Sequence, residues 1–396
     1  MNTLSENISL FKVFMSEDVL SPVNEVLMSG FITQGKQVEA FEEALKEYFQ
    51  HPYILTLNSA TSGLTLAQRL ALTPEEWEKR EKYTVLTPAL TCFATTVPIM
   101  ANNMKIGWID TQRNSCNVDI SDIKRKLSKE TRIIQVVHWG GNPVDLDGLK
   151  ELQDYCLQEY NHKPTIIEDC AHAFGSEYKG KKIGTHGNIC VMSLQAIKHL
   201  TTGDGGLIFL PNEEMYNRAK LLRWYGIDRD HRNKGDFRME HDIAEWGYKY
   251  HMNDIAATIG LYNLPHIKKL QEKTEENCEF FRKNLKNKHI LGIMPSEGIS
   301  ANWLFTLRVR HKQEFINYMQ SYKIMCSQVH NRNDIHSSVK DFRTYLPNLD
   351  SLEHEIVCVP CGWWLTPEQR DHIKETINNF NPTERMSSFL ACAENH

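Results

Sequence analysis

The chain has 396 residues, 41% of them hydrophobic and 24% charged, which is ordinary for a globular protein with two domains or with one large α/β domain and a smaller appendage. Its 45 lysine and arginine residues stand against 50 aspartate and glutamate residues, which gives a formal net charge of -5. The composition therefore excludes a strongly basic protein, and we expect neither nucleic acid nor an anionic membrane as a partner.

The N-terminal stretch and the cysteines indicate a cytoplasmic protein. Residues 1–21 carry acidic side chains and no long apolar run, unlike a secretory signal or a transit peptide. No stretch reaches the roughly 18 to 20 consecutive apolar residues that cross a bilayer. The ten cysteines lack the spacing of a disulfide framework or a zinc site, so we expect mostly buried free thiols and no bound metal.

The first two thirds of the chain alternate between strand and helix patterns. Residues 21–49 predict two helices interrupted near Gly30, and residues 53–72 predict a strand, a polar turn and a helix. Seven short apolar runs predict strands, namely "YILTLNS", "YTVLTPAL", "KIGWID", "RIIQVVHWG", "PTIIEDCA", "NICVMSL" and "GGLIFLP". Helical patterns such as "DISDIKRKLS" lie between several of them. This alternation predicts an α/β fold with a mainly parallel seven-stranded sheet covered by helices.

The pattern changes near residue 265. A long amphipathic helix is followed by mixed helix and strand patterns, including "ANWLFTLRVR" and "TPEQRDHIKETINNF". We therefore expect a large α/β domain over residues 1–264, with an N-terminal arm, and a smaller C-terminal α+β domain over residues 265–396.

Polar residues follow three of the predicted strands, where ligands bind in open α/β sheets. Thr61 and Ser62 lie in a small-residue turn before a helix, Asp169 and His172 follow another strand, and Ser193 comes five residues before Lys198. Taken singly, these could be helix caps, a loop carboxylate, a core histidine and a solvated lysine. Together they are the parts that pyridoxal phosphate (PLP) needs: a phosphate cradle, a carboxylate for the pyridine nitrogen and a lysine that forms a Schiff base.

Glycines surround the connection after the lysine. "TTGDGG", residues 201–206, follows Lys198 almost at once. Glycine permits positive φ angles and close approach of backbones, so we expect a sharply turning connection beside the cofactor.

Five motifs resemble those of one family. They are "SGFITQGKQVEAFEE", "NSATSGL", "EDCAHAFGSEYKGKKIGTHG", "SLQAIKHLTTGDGG" and "GYKYHMNDIAATIGL". From about residue 20 to about residue 380 the chain resembles the PLP-dependent sugar aminotransferases of the DegT type. The resemblance implies the aspartate-aminotransferase fold (fold type I) and transamination of a keto sugar, usually nucleotide-linked, with glutamate as the usual donor. It also implies a pyridoxamine phosphate form and a homodimer, or a dimer of dimers, with shared active sites.

The resemblance assigns roles to individual residues. Lys198 would form the Schiff base and shuttle the proton, Asp169 would pair with the pyridine nitrogen, and His172 would lie near the ring and its phenolate oxygen. The remaining cofactor contacts would come from Ala60, Thr61, Ser62 and Ser193. The family's sugar 3-dehydratases carry histidine at the lysine position, so an intact Lys198 favours aminotransfer over dehydration.

The chain departs from the family pattern at two positions. Cys92 stands where an aromatic residue commonly stacks on the cofactor ring, and Lys249 stands where an asparagine often reaches the phosphate from the neighbouring subunit. Candidate substrate contacts come from two polar segments and comprise Arg223, Arg229, Arg232, His330 and Arg332.

Several alternatives stay open at this stage. An aminotransferase acting on a free cyclitol or an octulosonate would share every cofactor motif, and a PLP-binding protein without turnover is a further alternative. The sequence leaves open which sugar and nucleotide are used, which carbon is aminated, and what stacks on the cofactor ring beside Cys92.

Overall fold

A seven-stranded sheet forms the centre of the fold. The computed structural model describes residues 6–229 and 242–382. In chain order the strands are β1 (Ile54–Leu57), β2 (Thr84–Pro88), β3 (Lys105–Ile109), β4 (Thr131–Val137), β5 (Thr165–Asp169), β6 (Glu177–Tyr178), β7 (Lys181–Lys182), β8 (Ile189–Ser193), β9 (Gly206–Phe209), β10 (Ile290–Ile293), β11 (Phe305–Val309) and β12 (Ile356–Val359). The central sheet has the order β1-β9-β8-β5-β4-β2-β3. Strand β9 runs antiparallel to β1 and β8, and the other pairs are parallel. The predicted mainly parallel sheet, with all seven of its strands, is confirmed.

Helices connect the strands and cover the sheet. They are α1 (Leu20–Ser29), α2 (Lys36–Phe49), α3 (Ala60–Leu70), α4 (Pro74–Trp77), α5 (Phe93–Ala101), α6 (Ile120–Lys126), α7 (Leu146–Tyr160), α8 (Glu213–Leu222), α9 (Asp254–Asn263), α10 (Ile267–Asn284), α11 (Lys312–Ser321), α12 (Pro347–Leu352) and α13 (Pro367–Asn379). Short 3₁₀ turns span Glu17–Val19, Arg80–Lys82, Trp139–Gly141, Leu264–His266 and Ser337–Phe342. The predicted break near Gly30 is confirmed, because α1 ends at Ser29 and Gly30 has a φ of 74°.

The two faces of the sheet belong to two apolar cores. Ile133 and Ile167 pack into one core, whereas their chain neighbours Ile134 and Ile166 pack into the other. Successive side chains of a strand point to opposite faces, so a strand covered on both sides reads as a continuous apolar run. This is why the strands were recognisable in the sequence as uninterrupted runs of β-branched residues.

The C-terminal part contains a separate three-stranded sheet. Strands β10, β11 and β12 pair antiparallel in that order. A third apolar core includes Phe281, Phe315 and Ile373 from the neighbouring helices, and Ile8 of the N-terminal segment packs into it. The division of the chain into domains at residues 264 and 265 stays a prediction.

The thiols and the helices of the fold have two further features. The nine cysteines within the described ranges are free thiols, and of these Cys92 is the exposed one. In the same ranges, no helix combines the length and the apolar character needed to cross a membrane.

Candidate active site

A cavity of about 430 Å³ lies beyond the ends of the central strands. Residues that follow β1, β2, β5 and β8 line it together with residues from the C-terminal part of the chain. Eight of the residues predicted as site residues line this cavity: Ala60, Thr61, Cys92, Asp169, His172, Ser193, Lys198 and His330. The fold thus brings together residues that are up to 270 positions apart in the chain.

Lys198 lies in the connection between β8 and β9. Its Nζ atom is 3.4 Å from the centroid of the Trp303 ring, and the hydrogen bonds found among the described residues include none to Nζ. Burial lowers the pKa of Lys198 to about 7, against the opposing effect of the Asp169 carboxylate. A substantial fraction of the amine is therefore unprotonated near neutral pH and available as a nucleophile.

The glycines after the lysine make the turn possible. Gly203 has a φ of 84°, which favours glycine. A Cβ atom on Gly206 would lie 2.5 Å from the carbonyl carbon of Ser59 and 2.6 Å from the nitrogen of Ala60. The start of β9 can approach the N-terminus of α3 this closely only because residue 206 has no side chain. The expected sharp turn and close approach are confirmed.

Asp169 is the last residue of β5 and is 4% exposed. Its Oδ2 atom accepts a hydrogen bond from the Thr95 hydroxyl at 2.7 Å, and its Oδ1 atom accepts one from the Ala171 N–H at 3.1 Å. Burial raises the pKa of Asp169, while these two hydrogen bonds and Lys198 favour the charged form. The carboxylate is thus held in one orientation at the wall of the cavity.

Thr95 is a site residue that the sequence analysis missed. Its hydroxyl also lies 2.8 Å from that of Thr91, which precedes the N-cap of α5. Both threonines belong to the segment "TPALTCFATT", from which the sequence analysis drew only Cys92. The position of Thr95 near the start of a helix that follows a strand was the available signal.

His172 lies in a stack of aromatic rings. It is 2% exposed, and its ring centroid is 3.9 Å from that of Trp303, with 21° between the planes. Its Nδ1 atom accepts a hydrogen bond from the Gly140 N–H at 3.3 Å. The nearly parallel ring of His330 is 5.6 Å away. Burial lowers the pKa of His172 well below its usual value and lowers that of His330 to about 4, so both imidazoles are neutral at physiological pH.

The N-terminus of α3 opens on the cavity. Ser59 caps the helix and accepts a hydrogen bond from the Ser62 N–H at 3.1 Å. Ala60 and Thr61 line the cavity, but Ser62 does not, and its hydroxyl lies 2.9 Å from that of Ser59. The first N–H groups of a helix have no partner within it and carry partial positive charge, so this end suits an anion.

Lys249 and Arg229 lie away from this cavity. Lys249 Nζ is 4.8 Å from the ring centroid of Trp224 and 5.4 Å from that of Tyr225. The Arg229 guanidinium is 4.2 Å from the same Trp224 ring and lines a smaller cavity of about 180 Å³. Neither residue reaches the cofactor cavity of its own chain.

Three further arginines were considered as substrate contacts. Arg332 is 8% exposed and forms ion pairs with Asp334, Asp350 and Glu353, which explains why it does not line the cavity. Arg223 is 3% exposed and pairs with Glu42. Arg232 lies outside the described residues.

A buried polar network lies behind the site. His138 Nε2 and Glu168 Oε2 are 2.8 Å apart, and His138 Nδ1 accepts a hydrogen bond from the Val144 N–H at 3.0 Å. Asn188 donates to Glu168 Oε1 at 2.7 Å. His138, Glu168 and Cys170 have the composition of a metal site. However, both ring nitrogens of His138 and both carboxylate oxygens of Glu168 form hydrogen bonds within the protein. We interpret the network as support for the strand that ends at Asp169.

The fold, together with a lysine and an aspartate that line one cavity, defines a class. A seven-stranded α/β sheet with this cavity is the architecture of fold type I PLP enzymes. The solved structure of AtS13 from Actinomadura melliaura is 41% identical, with a TM-score of 0.90, covering 95% of this chain and 100% of that one. The sugar aminotransferase CalS13 from Micromonospora echinospora is 40% identical, with a TM-score of 0.87, covering 94% of this chain and 99% of that one.

The family follows from the sequence comparison. Residues 14–378 match the model of the DegT/DnrJ/EryC1/StrS aminotransferase family, and the chain belongs to this family. A UDP-4-amino-4,6-dideoxy-N-acetyl-beta-L-altrosamine transaminase of Campylobacter jejuni subsp. jejuni serotype O:23/36 (strain 81-176) is 29% identical over 372 residues, which are 90% of this chain and 93% of that protein. The predicted fold, the resemblance to the family and the enzyme class, an aminotransferase, are confirmed.

Proposed function

We propose that this aminotransferase binds PLP in the cavity and converts a nucleotide-linked keto sugar to an amino sugar, with glutamate as the amino donor. The observation that carries the proposal is the cavity itself, in which a lysine with a pKa of about 7 and a buried aspartate lie beside the N-terminus of a helix. The names of two relatives support the substrate class, since CalS13 is a sugar aminotransferase and the Campylobacter relative acts on a UDP-linked sugar.

The residues present fit PLP. The phosphate would find the positive end of α3 at Ala60 and Thr61, and Ser193 lines the same cavity. Gly206 keeps this end open, because any side chain there would collide with Ser59 and Ala60. Asp169 offers a carboxylate to the pyridine nitrogen, and Lys198 offers an amine to the aldehyde. The phosphate, the pyridine nitrogen and the aldehyde would therefore each meet a group of suitable charge or reactivity.

The chain's own residues would divide the work between binding and proton transfer. When bound, PLP supplies an electron sink for the charge that develops when a C–H bond next to the substrate nitrogen breaks. Lys198 would hold the cofactor through Nζ and, as a free amine, would carry a proton between the carbons on either side of the substrate nitrogen. Asp169, oriented by Thr95 and Ala171, would hold the proton on the pyridine nitrogen.

Burial sets the protonation states for this chemistry. Lys198 must be neutral to act as a base, and its pKa of about 7 leaves it neutral in a large share of molecules near pH 7. The neutral rings of His172 and His330 add no positive charge beside the amine. Because Nδ1 of the neutral His172 ring accepts from the Gly140 N–H, the ring hydrogen is on Nε2, which would be available to donate to the phenolate oxygen of the cofactor ring.

We also propose a homodimer in which Lys249 serves the partner's site. Lys249 does not reach the cavity of its own chain, so a role at a cofactor requires a second protomer. Exposed apolar side chains on α1 and the turn after it support a subunit contact, because Met28 is 79% and Phe31 81% exposed. The apolar residues also lie close to the segment that carries Lys249. They directly precede Gly35, whose N–H donates to Asp254 at 2.8 Å, and Asp254 is five residues beyond Lys249.

Lys198→Ala tests the central assignment. The variant is expected to fold and bind PLP, but to lose at least a thousandfold in turnover, because nucleophile and base are removed together. Lys198→Arg should fail equally, since a guanidinium stays protonated. The matched control is Lys181→Ala, which removes an exposed lysine of the β6–β7 hairpin.

The assay has two parts. Addition of glutamate to the purified yellow protein should change its absorption to that of pyridoxamine phosphate. A panel of UDP-, dTDP-, GDP- and CMP-linked keto sugars, with free cyclitols as comparison, then identifies the acceptor. A colourless protein that does not respond to added PLP would overturn the proposal, and so would a Lys198→Ala variant that keeps more than about a thousandth of the wild-type rate.

A further inference from the structure

Trp303 is a rigidly held aromatic residue in the wall of the cofactor cavity. It is 8% exposed and precedes β11, far in sequence from Lys198. Its Nε1–H donates to the carbonyl oxygen of Ile197 at 2.9 Å. Its ring stacks with Phe11 at 5.0 Å and with His172 at 3.9 Å, with interplanar angles of 22° and 21°. A hydrogen bond and two stacked rings therefore fix the position of the indole.

The amino group of Lys198 lies against this indole. The distance from Nζ to the ring centroid is 3.4 Å, within the range of cation–π contacts. No hydrogen bond to Nζ occurs among the residues that the structure describes. The hydrogen bond from Trp303 to the carbonyl oxygen of Ile197 attaches the ring to the residue next to the lysine. The indole is therefore fixed relative to the backbone that carries Lys198.

The other polar groups around the amine do not replace this contact. Burial holds the pKa of three nearby imidazoles low, to about 4 for His199 and His330, so they are neutral. The Asp169 oxygens are engaged by Thr95 and Ala171. Five titratable groups interact electrostatically with Lys198, namely Asp169, Cys92, His172, His199 and His330. The indole face is thus the direct neighbour of the positive charge.

We propose that the Lys198 amino group rests against the indole of Trp303 when it neither carries a covalent bond nor transfers a proton, which makes Trp303 a positioning residue for the reaction. The proposal rests on the role proposed for Lys198 and adds a second residue to it. An indole ring attracts an ammonium group more strongly than a neutral amine. Trp303 therefore stabilises the protonated lysine that burial destabilises, and holds it beside the cofactor until it reacts again.

A core tryptophan without this role would give a different result. Its replacement would change stability, but would not change the protonation of one particular lysine. The decisive readout is therefore the pH dependence of Lys198 labelling. Trace acetic anhydride is reacted with the full-length protein, cofactor-free and saturated with pyridoxamine phosphate, over a pH series. Mass spectrometry of the peptide that contains Lys198 gives the labelling midpoint.

Trp303→Leu should lower the midpoint by about one pH unit, the size expected for loss of a desolvated cation–π contact. Trp303→Phe keeps an aromatic face and should shift the midpoint by roughly half as much. The matched control is Trp139→Phe, because Trp139 contacts the rings of His172 and His330 edge-on but has no contact with Lys198 Nζ. Its midpoint should equal that of the wild type.

The outcomes separate this proposal from the proposed function. Borohydride reduction of the PLP-loaded wild type should mark Lys198, and failure to do so would overturn the role of the lysine. If Lys198 is marked but the midpoint of Trp303→Leu is unchanged or raised, the role of Trp303 is wrong. Should Trp303→Leu fail to fold, Trp303→Phe decides by the same criterion.

Discussion

Replacing Arg332 tests whether this residue serves the structure or the substrate. The sequence pattern placed Arg332 near the sugar, but its guanidinium is buried among three carboxylates. Nε and one terminal nitrogen each donate to a different oxygen of Asp334 at 2.8 Å, a bidentate geometry. We therefore expect Arg332→Met to act on the stability of the fold rather than on substrate binding.

The magnitude follows from how deeply each partner is buried. The Asp334 side chain is 6% exposed, so removal of the arginine leaves a buried carboxylate without its counter-ion. Breaking such a pair costs about 3–5 kcal/mol. Asp350 and Glu353 are 44% and 27% exposed, so their pairs contribute about 1 kcal/mol or less each. The total loss should therefore lie between about 3 kcal/mol, from the Asp334 pair alone, and about 7 kcal/mol, if all three pairs contribute fully.

The residue next to Arg332 connects this segment to the wall of the cofactor cavity. The Asn333 N–H donates to the carbonyl oxygen of Ala89 at 2.7 Å, and its side chain donates to the Thr96 hydroxyl at 2.9 Å. These contacts anchor the segment on the connection between β2 and α5, which carries Cys92. Loosening this segment would disturb one wall of the cofactor cavity. Turnover should then fall with the folded fraction, whereas KM for the sugar should stay near the wild-type value.

Urea unfolding, followed by far-UV circular dichroism, measures the effect. The double variant Arg332→Met/Asp334→Leu removes both charges and should recover part of the stability that the single variant loses. Arg343→Met is the control, because Arg343 is exposed and the hydrogen bonds of its side chain to described residues go only to the backbone carbonyls of residues 334 and 335. An Arg332→Met protein with the wild-type unfolding curve and a raised KM for the sugar would refute the reasoning.

Two further predictions concern the partner subunit and the buried lysine. Lys249→Ala should weaken PLP retention. If sites are shared, mixing Lys249→Ala with Lys198→Ala protomers should restore up to about a quarter of wild-type activity, because about half of the dimers are mixed and each of these has one intact site. No recovery would contradict sharing. Burial lowers the pKa of Lys198 from 10.5 to about 7, so between pH 7 and pH 10.5 this lysine is protonated in the unfolded chain but not in the folded one. The free energy of unfolding therefore rises with pH in this window. Cofactor-free Lys198→Met should therefore exceed the wild type in urea midpoint most clearly below pH 7, and a gain that did not shrink as the pH approached 10.5 would contradict the assignment.

The sequence predicted the sheet because its strands are covered on both faces. Such strands appear as uninterrupted apolar runs bounded by polar turns, and their order alternates with helices. The residues that directly follow these strands, including Asp169 and Ser193, could be predicted for the same reason. They belong to the ends of neighbouring strands, where an open sheet binds its ligand.

The contacts that the sequence did not reveal come from distant segments. Trp303 lies 105 residues beyond Lys198, and no motif links the two. Arg332 illustrates the opposite error, since a polar segment of correct position supplied a residue that the fold uses for an internal ion pair. In both cases the outcome depends on tertiary contacts, which neither periodicity nor spacing encodes.

The charges around the cavity destabilise the cofactor-free protein relative to the protein with PLP bound. Lys198 is buried without a hydrogen bond to its amine among the described residues, Asp169 is buried with a raised pKa, and the positive end of α3 faces the same space. PLP would compensate the charge of each of these groups, because the phosphate is an anion, the pyridinium is a cation and the aldehyde removes the charge of the amine. A ligand that binds only the folded state stabilises it by mass action. The polar groups that destabilise the cofactor-free fold are therefore the same ones that would select this cofactor.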